Sequence, residues 1–174
     1  MPVSIFIQTL NEEQNLPGCL ESVSFADDVV VLDSLSTDNT RAVAESAGAR
    51  WYERPFDGRG PHQNWAMDNI DFKHRWVFYL DADERMTPEL RAEVEAIADA
   101  WDRGEKTREN NDPVAFYCGR KNYFRGTWLK HAMPPGNIMR FFQPPHIRFA
   151  RLANPAPTVD GSIGYLREHF LHYN

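Results

Sequence analysis

The sequence predicts an α/β fold: a doubly wound, mostly parallel sheet followed by a shorter antiparallel part. Three observations carry that expectation. Strand-like apolar runs alternate with helical patterns through the first half of the chain, as strand, helix, strand, helix, strand, the order that builds a parallel sheet. The runs close on polar clusters at Thr9 to Asn11, Asp33-Ser34 and Asp81 to Asp83, and ligands of such sheets sit beyond the carboxyl ends of the strands. After Asp112 the helical period gives way to short β-branched and aromatic runs.

The 174 residues suffice for one domain with a real core. A chain that is 42% hydrophobic and 13% aromatic is globular rather than disordered. Its net charge of −6 argues against a protein that coats nucleic acid. Cys19 and Cys118 stand far apart without zinc spacing, which points to a reduced, cytoplasmic setting. The start, Met1-Pro2-Val3-Ser4, lacks the basic residues and cleavage site of a signal peptide. No window approaches the roughly 20 apolar residues of a membrane span, which leaves peripheral association with the inner face of a membrane open. Nothing in the pattern specifies an oligomeric state.

Val3 to Thr9 is β-branched and short, a first strand. Asn11 follows as an N-cap with Gln14 three residues on, as in a capping box, and Pro17 is expected to bend or end the first turn. Leu16, Leu20 and Val23 continue at helical spacing. Val29 to Leu32 is a second buried strand, and the polar turn Asp33 to Thr40 leads into a helix that stops at Gly48. Arg50 to Glu53 is a third strand. A Gly- and Pro-rich loop, Arg54 to Pro61, precedes a helix over His62 to Ile70; Arg59 and His62 are either phosphate-facing or ordinary solvated loop groups.

Trp76 to Leu80 is apolar throughout, a strand buried on both faces. Asp81 and Asp83 leave it at i and i+2 and so can converge on one spot, where a hard cation finds oxygen ligands. The plainer alternative is that both acids cap the turn. Thr87-Pro88 reads as an N-cap with Pro in the first helical position. Leu90, Val94, Ile97 and Trp101 then repeat at spacings of 4, 3 and 4, a core-packing stripe. Asp102 to Asp112 is a polar excursion, and Met133 to Gly136 and Ala153 to Pro157 are loops. Between them, residues 114–118, 122–124, 137–142 and 147–149 suggest antiparallel strands, with Tyr165 to Tyr173 closing the chain. Trp and Tyr residues of this half serve as core or as sugar-stacking walls.

Three ordered motifs together resemble a known family. Ser4-Ile5-Phe6-Ile7-Gln8-Thr9-Leu10-Asn11-Glu12-Glu13 resembles the opening strand and turn of inverting family-2 glycosyltransferases. Leu32-Asp33-Ser34-Leu35-Ser36-Thr37-Asp38-Asn39-Thr40 resembles their second motif, and Asp81-Ala82-Asp83-Glu84 their metal-binding DxD in the form of the bacterial branch that builds lipopolysaccharide core and capsule. The resemblance covers the whole chain and implies one Rossmann-like GT-A domain, with residues 1–101 as the nucleotide-sugar half and 113–174 as the acceptor-side half. It implies that Thr9, Leu10 and Asn11 line the base and ribose pocket with Glu12 nearby, and that Asp33 or Ser34 bonds the base. Asp81 would approach the ribose or a metal-bound water, and Asp83 would ligate Mg²⁺ or Mn²⁺ bridging the donor diphosphate. The implied reaction moves a sugar from a UDP-sugar to a hydroxyl of a glycan or lipid-linked acceptor.

The sequence departs from the family at three places. Leu35 and Asn39 stand where Gly is usual, and of the two Asn suits a left-handed turn better. Asn154-Pro155 occupies the approximate place of a His-Glu pair, so the carboxylate base of an inverting enzyme is not carried over. Asp160, Glu168 and His169 remain as base candidates by chemistry alone. The competing reading is a nucleotide-sugar-binding module without a base. A phosphatase is disfavoured by Glu84-Arg85 after the second Asp, and a dehydrogenase by the lack of Gly-x-Gly-x-x-Gly after the first strand.

Overall fold

The computed structural model describes residues 2–105, 112–130, 136–150 and 157–173. The first half runs β1 (Val3–Thr9), α1 (Leu16–Ser22), β2 (Val29–Asp33), α2 (Thr40–Ser46), β3 (Arg50–Glu53), α3 (Arg59–Asn69) and β4 (Trp76–Asp81). The second runs β5 (Glu84–Arg85), α4 (Pro88–Asp102), β6 (Pro113–Phe124), β7 (Thr127–Trp128), β8 (Asn137–Phe142), β9 (Ile147–Phe149), β10 (Pro157–Val159) and β11 (Ser162–Tyr173).

One sheet has the strand order β3-β2-β1-β4-β8-β6-β11-β5, with β7 hairpinned onto β6. β3, β2, β1 and β4 are parallel. β9 and β10 form a separate antiparallel pair. The winding reverses at β1, which has β2 on one side and β4 on the other, so the crevice between the carboxyl ends of β1 and β4 is the topological switch point.

Both faces of the parallel part are covered, which explains its continuous apolar runs. Val3, Ile5, Ile7, Phe78 and Leu80 pack against Leu16, Leu20, Ala44, Leu90 and Val94 of α1, α2 and α4. Phe6, Val30, Leu32, Val77 and Tyr79 pack on the other face with Ala66 of α3 and with Ile147 and Phe149 of β9. Trp76 stacks on Phe141 with centroids 4.5 Å apart, joining the parallel part to β8.

Several local expectations need correction. Asn11 is no N-cap: it takes a left-handed φ of 55°, and α1 begins five residues later, with Pro17 in its opening turn instead of breaking it. Leu35, not Asn39, adopts the left-handed turn, at φ 69° against −83° for Asn39. Residues 113–124 form one strand, not two, and β6 is antiparallel to β8 but parallel to β11. α3 starts at Arg59, three residues early, because Gly58 at φ 114° makes the turn into it. The α4 cap is as expected, with Thr87 Oγ1 accepting from Leu90 N at 3.2 Å. Parts of the three expected loops, at residues 106–111, 131–135 and 153–156, lie outside the described residues, as do Asn154 and Pro155.

Candidate functional site

The turns after β1 and β2 are laced together. Asn11 N donates to Ser36 Oγ at 2.7 Å, and Asn11 Oδ1 accepts from Thr37 N at 2.8 Å. Glu12 N donates to Thr40 Oγ1 at 2.8 Å, and Glu13 Oε2 accepts from the backbone and side chain of Asn39 at 3.0 and 2.9 Å. Beneath them Asp33 is fully buried and accepts from Thr9 Oγ1 at 2.7 Å and from Ser36 N at 2.6 Å. Ser36 Oγ also donates to it. Asn11 and Asp33 therefore act as struts of the turns, while their neighbours face the open side.

That open side is a cleft of about 760 Å³ at the switch point. Thr9, Leu10, Glu12, Ser34, Asp81 and Asp83 line it; Asn11 and Asp33 do not. Arg59 and His62, at the start of α3, line it too. Arg59 brings its guanidinium to 3.9 Å from Asp81 Oδ2. His62 lies 3.5 Å from Ser34 Oγ, under the exposed ring of Phe56. Burial and then the charge of Arg54 hold the His62 imidazole below its ordinary pKa, so it faces the cleft as a neutral ring.

A buried ionic knot supports the floor. Arg140 of β8, 2% exposed, donates to Asp81 Oδ2 at 3.0 Å and Glu84 Oε1 at 2.6 Å. Its guanidinium lies 4.3 Å from the ring centroid of Tyr79, whose hydroxyl donates to Asp81 and lies 2.9 Å from Gln8 Oε1. Burial works against the Asp81 charge, but Arg140 and Arg59 and the Tyr79 hydroxyl outweigh it and hold this carboxyl below its usual value. Glu84 is wholly buried; there burial outweighs Arg140, and the carboxyl is pushed up to about 7. Two carboxylates share one guanidinium, and the deeper of them is the one that tends to keep a proton.

Asp83 has a different partner. Its Oδ2 lies 3.2 Å from Nε2 of His172, and its Oδ1 is buried with no hydrogen-bond partner among the described residues. His172 Nδ1 lies 3.1 Å from Asn122 Oδ1. The register explains the meeting: β5 pairs with β11 so that His172 stands opposite Glu84, and Tyr173 N donates to Asp83 O at 3.0 Å. Sequence reasoning missed His172 and Arg140. The Leu171-His172-Tyr173 ending was the available signal for the first; the second carried none, since a lone Arg in an apolar strand has no spacing to read.

None of the three base candidates lines the cleft. Asp160 sits in the turn after β10, its backbone bonded to His146. Glu168 lies in a groove against α4, and His169 packs over Gly119. The carboxylates that do line the cleft, among the described residues, are Glu12, Asp81 and Asp83.

With this geometry the chain matches the family model for glycosyl transferase family 2 over residues 4–152. The chain belongs to glycosyltransferase family 2. The lipopolysaccharide core biosynthesis glycosyltransferase LpsC of Rhizobium meliloti is 38% identical over 96 residues, which are 52% of this chain and 35% of that protein. An uncharacterized glycosyltransferase of Rickettsia bellii is 38% identical over 96 residues, 55% of this chain and 32% of its own length. The chain thus spans about a third of the length of these curated relatives. The crystal structure of S. aureus TarS 1–349 in complex with UDP superimposes with a TM-score of 0.69 at 16% identity, covering 100% of this chain and 61% of that one. The fold of this family-2 chain is GT-A, as the motifs imply.

Proposed function

We propose that this family-2 glycosyltransferase transfers a sugar from a UDP-sugar to a hydroxyl of a glycan or lipid-linked acceptor, with inversion, and that Asp83 and His172 hold a divalent ion for the donor diphosphate. The observation that carries the reading is the buried Oδ1 of Asp83, without a partner among the described residues, beside the His172 imidazole. A carboxylate oxygen left without a donor in a polar cleft is costly unless a ligand fills its place. No cluster of three or more His, Cys, Asp or Glu able to hold a metal exists among the described residues. Two protein donors still fit the ion, because Mg²⁺ and Mn²⁺ in such sites take one or two protein ligands and complete their shell with phosphate oxygens and water. Bound there, the ion would offset charge developing on the departing diphosphate.

The chain's own residues do the rest. The cleft's Thr9, Leu10 and Ser34 are the surfaces offered to base and ribose, and Asp33 keeps them in place by bonding Thr9 and Ser36. Arg140 and Tyr79 fix the Asp81 carboxylate toward the ribose side. Similarity to LpsC supports a place in lipopolysaccharide core assembly.

A direct test is calorimetry of UDP with and without Mn²⁺. Asp83→Ala and His172→Ala should each weaken Mn²⁺-dependent UDP binding by about tenfold or more and leave metal-free binding unchanged. Equal affinity of parent and variants with Mn²⁺ present would overturn the assignment. The second reading, a donor-binding module without a base, is favoured by the position of Asp160, Glu168 and His169 outside the cleft. Donor turnover in the presence of acceptor extracts separates the two.

A further inference from the structure

The hairpin of β6 and β7 stands out from a chain whose net charge is −6. Between Arg120 and Lys130 there are four basic residues, Arg120, Lys121, Arg125 and Lys130, and no acid. The hairpin also carries exposed rings: Phe124 is 49% exposed and Trp128 43%. Register places Tyr123 opposite Trp128 on one side and opposite Tyr173 on the other, so three rings from three strands form one row on one face. Tyr123 and Tyr173 stack with centroids 5.4 Å apart.

Cations are interleaved with these rings. Lys121 and Lys130 place their ammonium groups 5.4 and 5.5 Å from the Trp128 ring, and Arg85 lies 5.6 Å from that of Tyr173. At the tip, Arg125 lies 5.5 Å from the Phe124 ring. Half-exposed aromatic rings flanked by Lys and Arg match the chemistry of a bilayer interface. There the rings sit at headgroup level and the cations meet lipid phosphates.

We propose that this hairpin is a foot that docks the protein on an anionic lipid surface, with Phe124 and Trp128 entering the headgroup layer. Two alternatives fit less well. A glycan subsite of the transferase would lie along the cleft, and neither Phe124 nor Trp128 lines it. A single-stranded nucleic acid would need cations spaced along a groove that tracks its backbone, whereas these cations gather around one hairpin. The foot is also continuous with the cleft: Arg120 lines both the cleft and a cavity of about 290 Å³ beside Lys121, Trp128 and Lys130. An acceptor anchored in the same surface would reach the cleft mouth from the side of β6. The docking does not depend on the transferase reading.

The test is flotation of the full chain with vesicles of phosphatidylcholine alone or with about a third phosphatidylglycerol. Binding should be at least about tenfold tighter to the anionic vesicles and should weaken steeply with added salt. Lys121→Ala with Lys130→Ala should cost about 25-fold, at roughly fivefold per charge. Phe124→Ser with Trp128→Ser should reduce binding to the level seen on phosphatidylcholine. Melting temperature and UDP affinity, read in parallel, should match the parent in both variants, because the four side chains lie outside the cleft. Equal binding of the parent to both vesicles, or variants that float as the parent does, would overturn the proposal. So would a single-stranded oligonucleotide that displaces the parent from vesicles and binds it more tightly than they do.

Discussion

Arg140 is the side chain whose loss should be felt most widely. It is 2% exposed and donates two charge-assisted hydrogen bonds, at 3.0 Å to Asp81 and 2.6 Å to the fully buried Glu84. Arg140→Met removes the cation, and with it the guanidinium that lies over the rings of Tyr79 and Phe170. Removing one partner of a buried pair costs about 3–5 kcal/mol, mostly as the penalty of a charge left without its counter-ion. Proton uptake by Glu84, whose carboxyl burial has already pushed up to about 7, sets the loss at the low end, about 3 kcal/mol. For a chain of this size that lowers the melting temperature by about 6–12 °C. Urea unfolding of four proteins tests the cause: parent, Arg140→Met, Glu84→Gln, and the double variant. Gln has a single side-chain oxygen; kept on Asp81 N, it turns an NH2 toward Arg140, so Glu84→Gln removes the charge and the hydrogen bond from Arg140 together. It should destabilise the parent by about 2 kcal/mol and be neutral or stabilising beside Arg140→Met, a coupling of about 2 kcal/mol. If the two changes add within about 0.5 kcal/mol, the knot does not hold the floor as argued.

Four further outcomes follow from single residues. Leu35→Gly should stabilise the protein by about 0.5–1 kcal/mol in urea unfolding, because it relieves a left-handed φ of 69° at a side chain that is 51% exposed. Asp33→Asn should cost about 2 kcal/mol of stability and weaken UDP and UDP-sugar alike, since an amide cannot accept from Thr9 and both Ser36 donors at once. Ser34→Ala, by contrast, should change UDP affinity with little effect on melting. Asn122→Leu should weaken Mn²⁺-dependent UDP binding about tenfold by releasing the His172 ring, and unchanged affinity in calorimetry would refute that role.

The parallel half of the fold was legible because its signals are local and repeated. Val29 to Leu32 and Trp76 to Leu80 are apolar at every position, which only a strand covered on both faces requires, and each ends on an acid. The site was legible as a set of strand ends, and six of its eight named residues do line one cleft. The finer roles were not legible. Asn11 and a capping box look alike in sequence, and only the neighbouring turn shows that Asn11 Oδ1 is taken by Thr37. Asp33 reads as a ligand residue until the donors around it are seen. The second half was less legible because its order depends on long-range pairing: β11 joins β6 in parallel some 50 residues away, and no local period announces that.

That distant pairing is what completes the front of the molecule. Between Tyr165 and His169, β11 advances four residues while β6 advances two, from Tyr117 to Gly119. The difference is even, so the faces of β11 are kept while its reach is shortened by two residues; an odd slip would turn His172 to the opposite face. The step is accommodated where Gly119 has no side chain, because a Cβ there would stand 2.5 Å from the His169 ring. Beyond the step His172 pairs with Asn122 and stands opposite Glu84, which sets Nδ1 against the amide oxygen and turns Nε2 toward Asp83. An imidazole that donates through Nδ1 presents a lone pair at Nε2, the state a metal ligand needs. The last strand is therefore positioned by a bulge whose effect is felt at the end of the fourth, and the acid after β4 acquires its partner only when the whole sheet has closed.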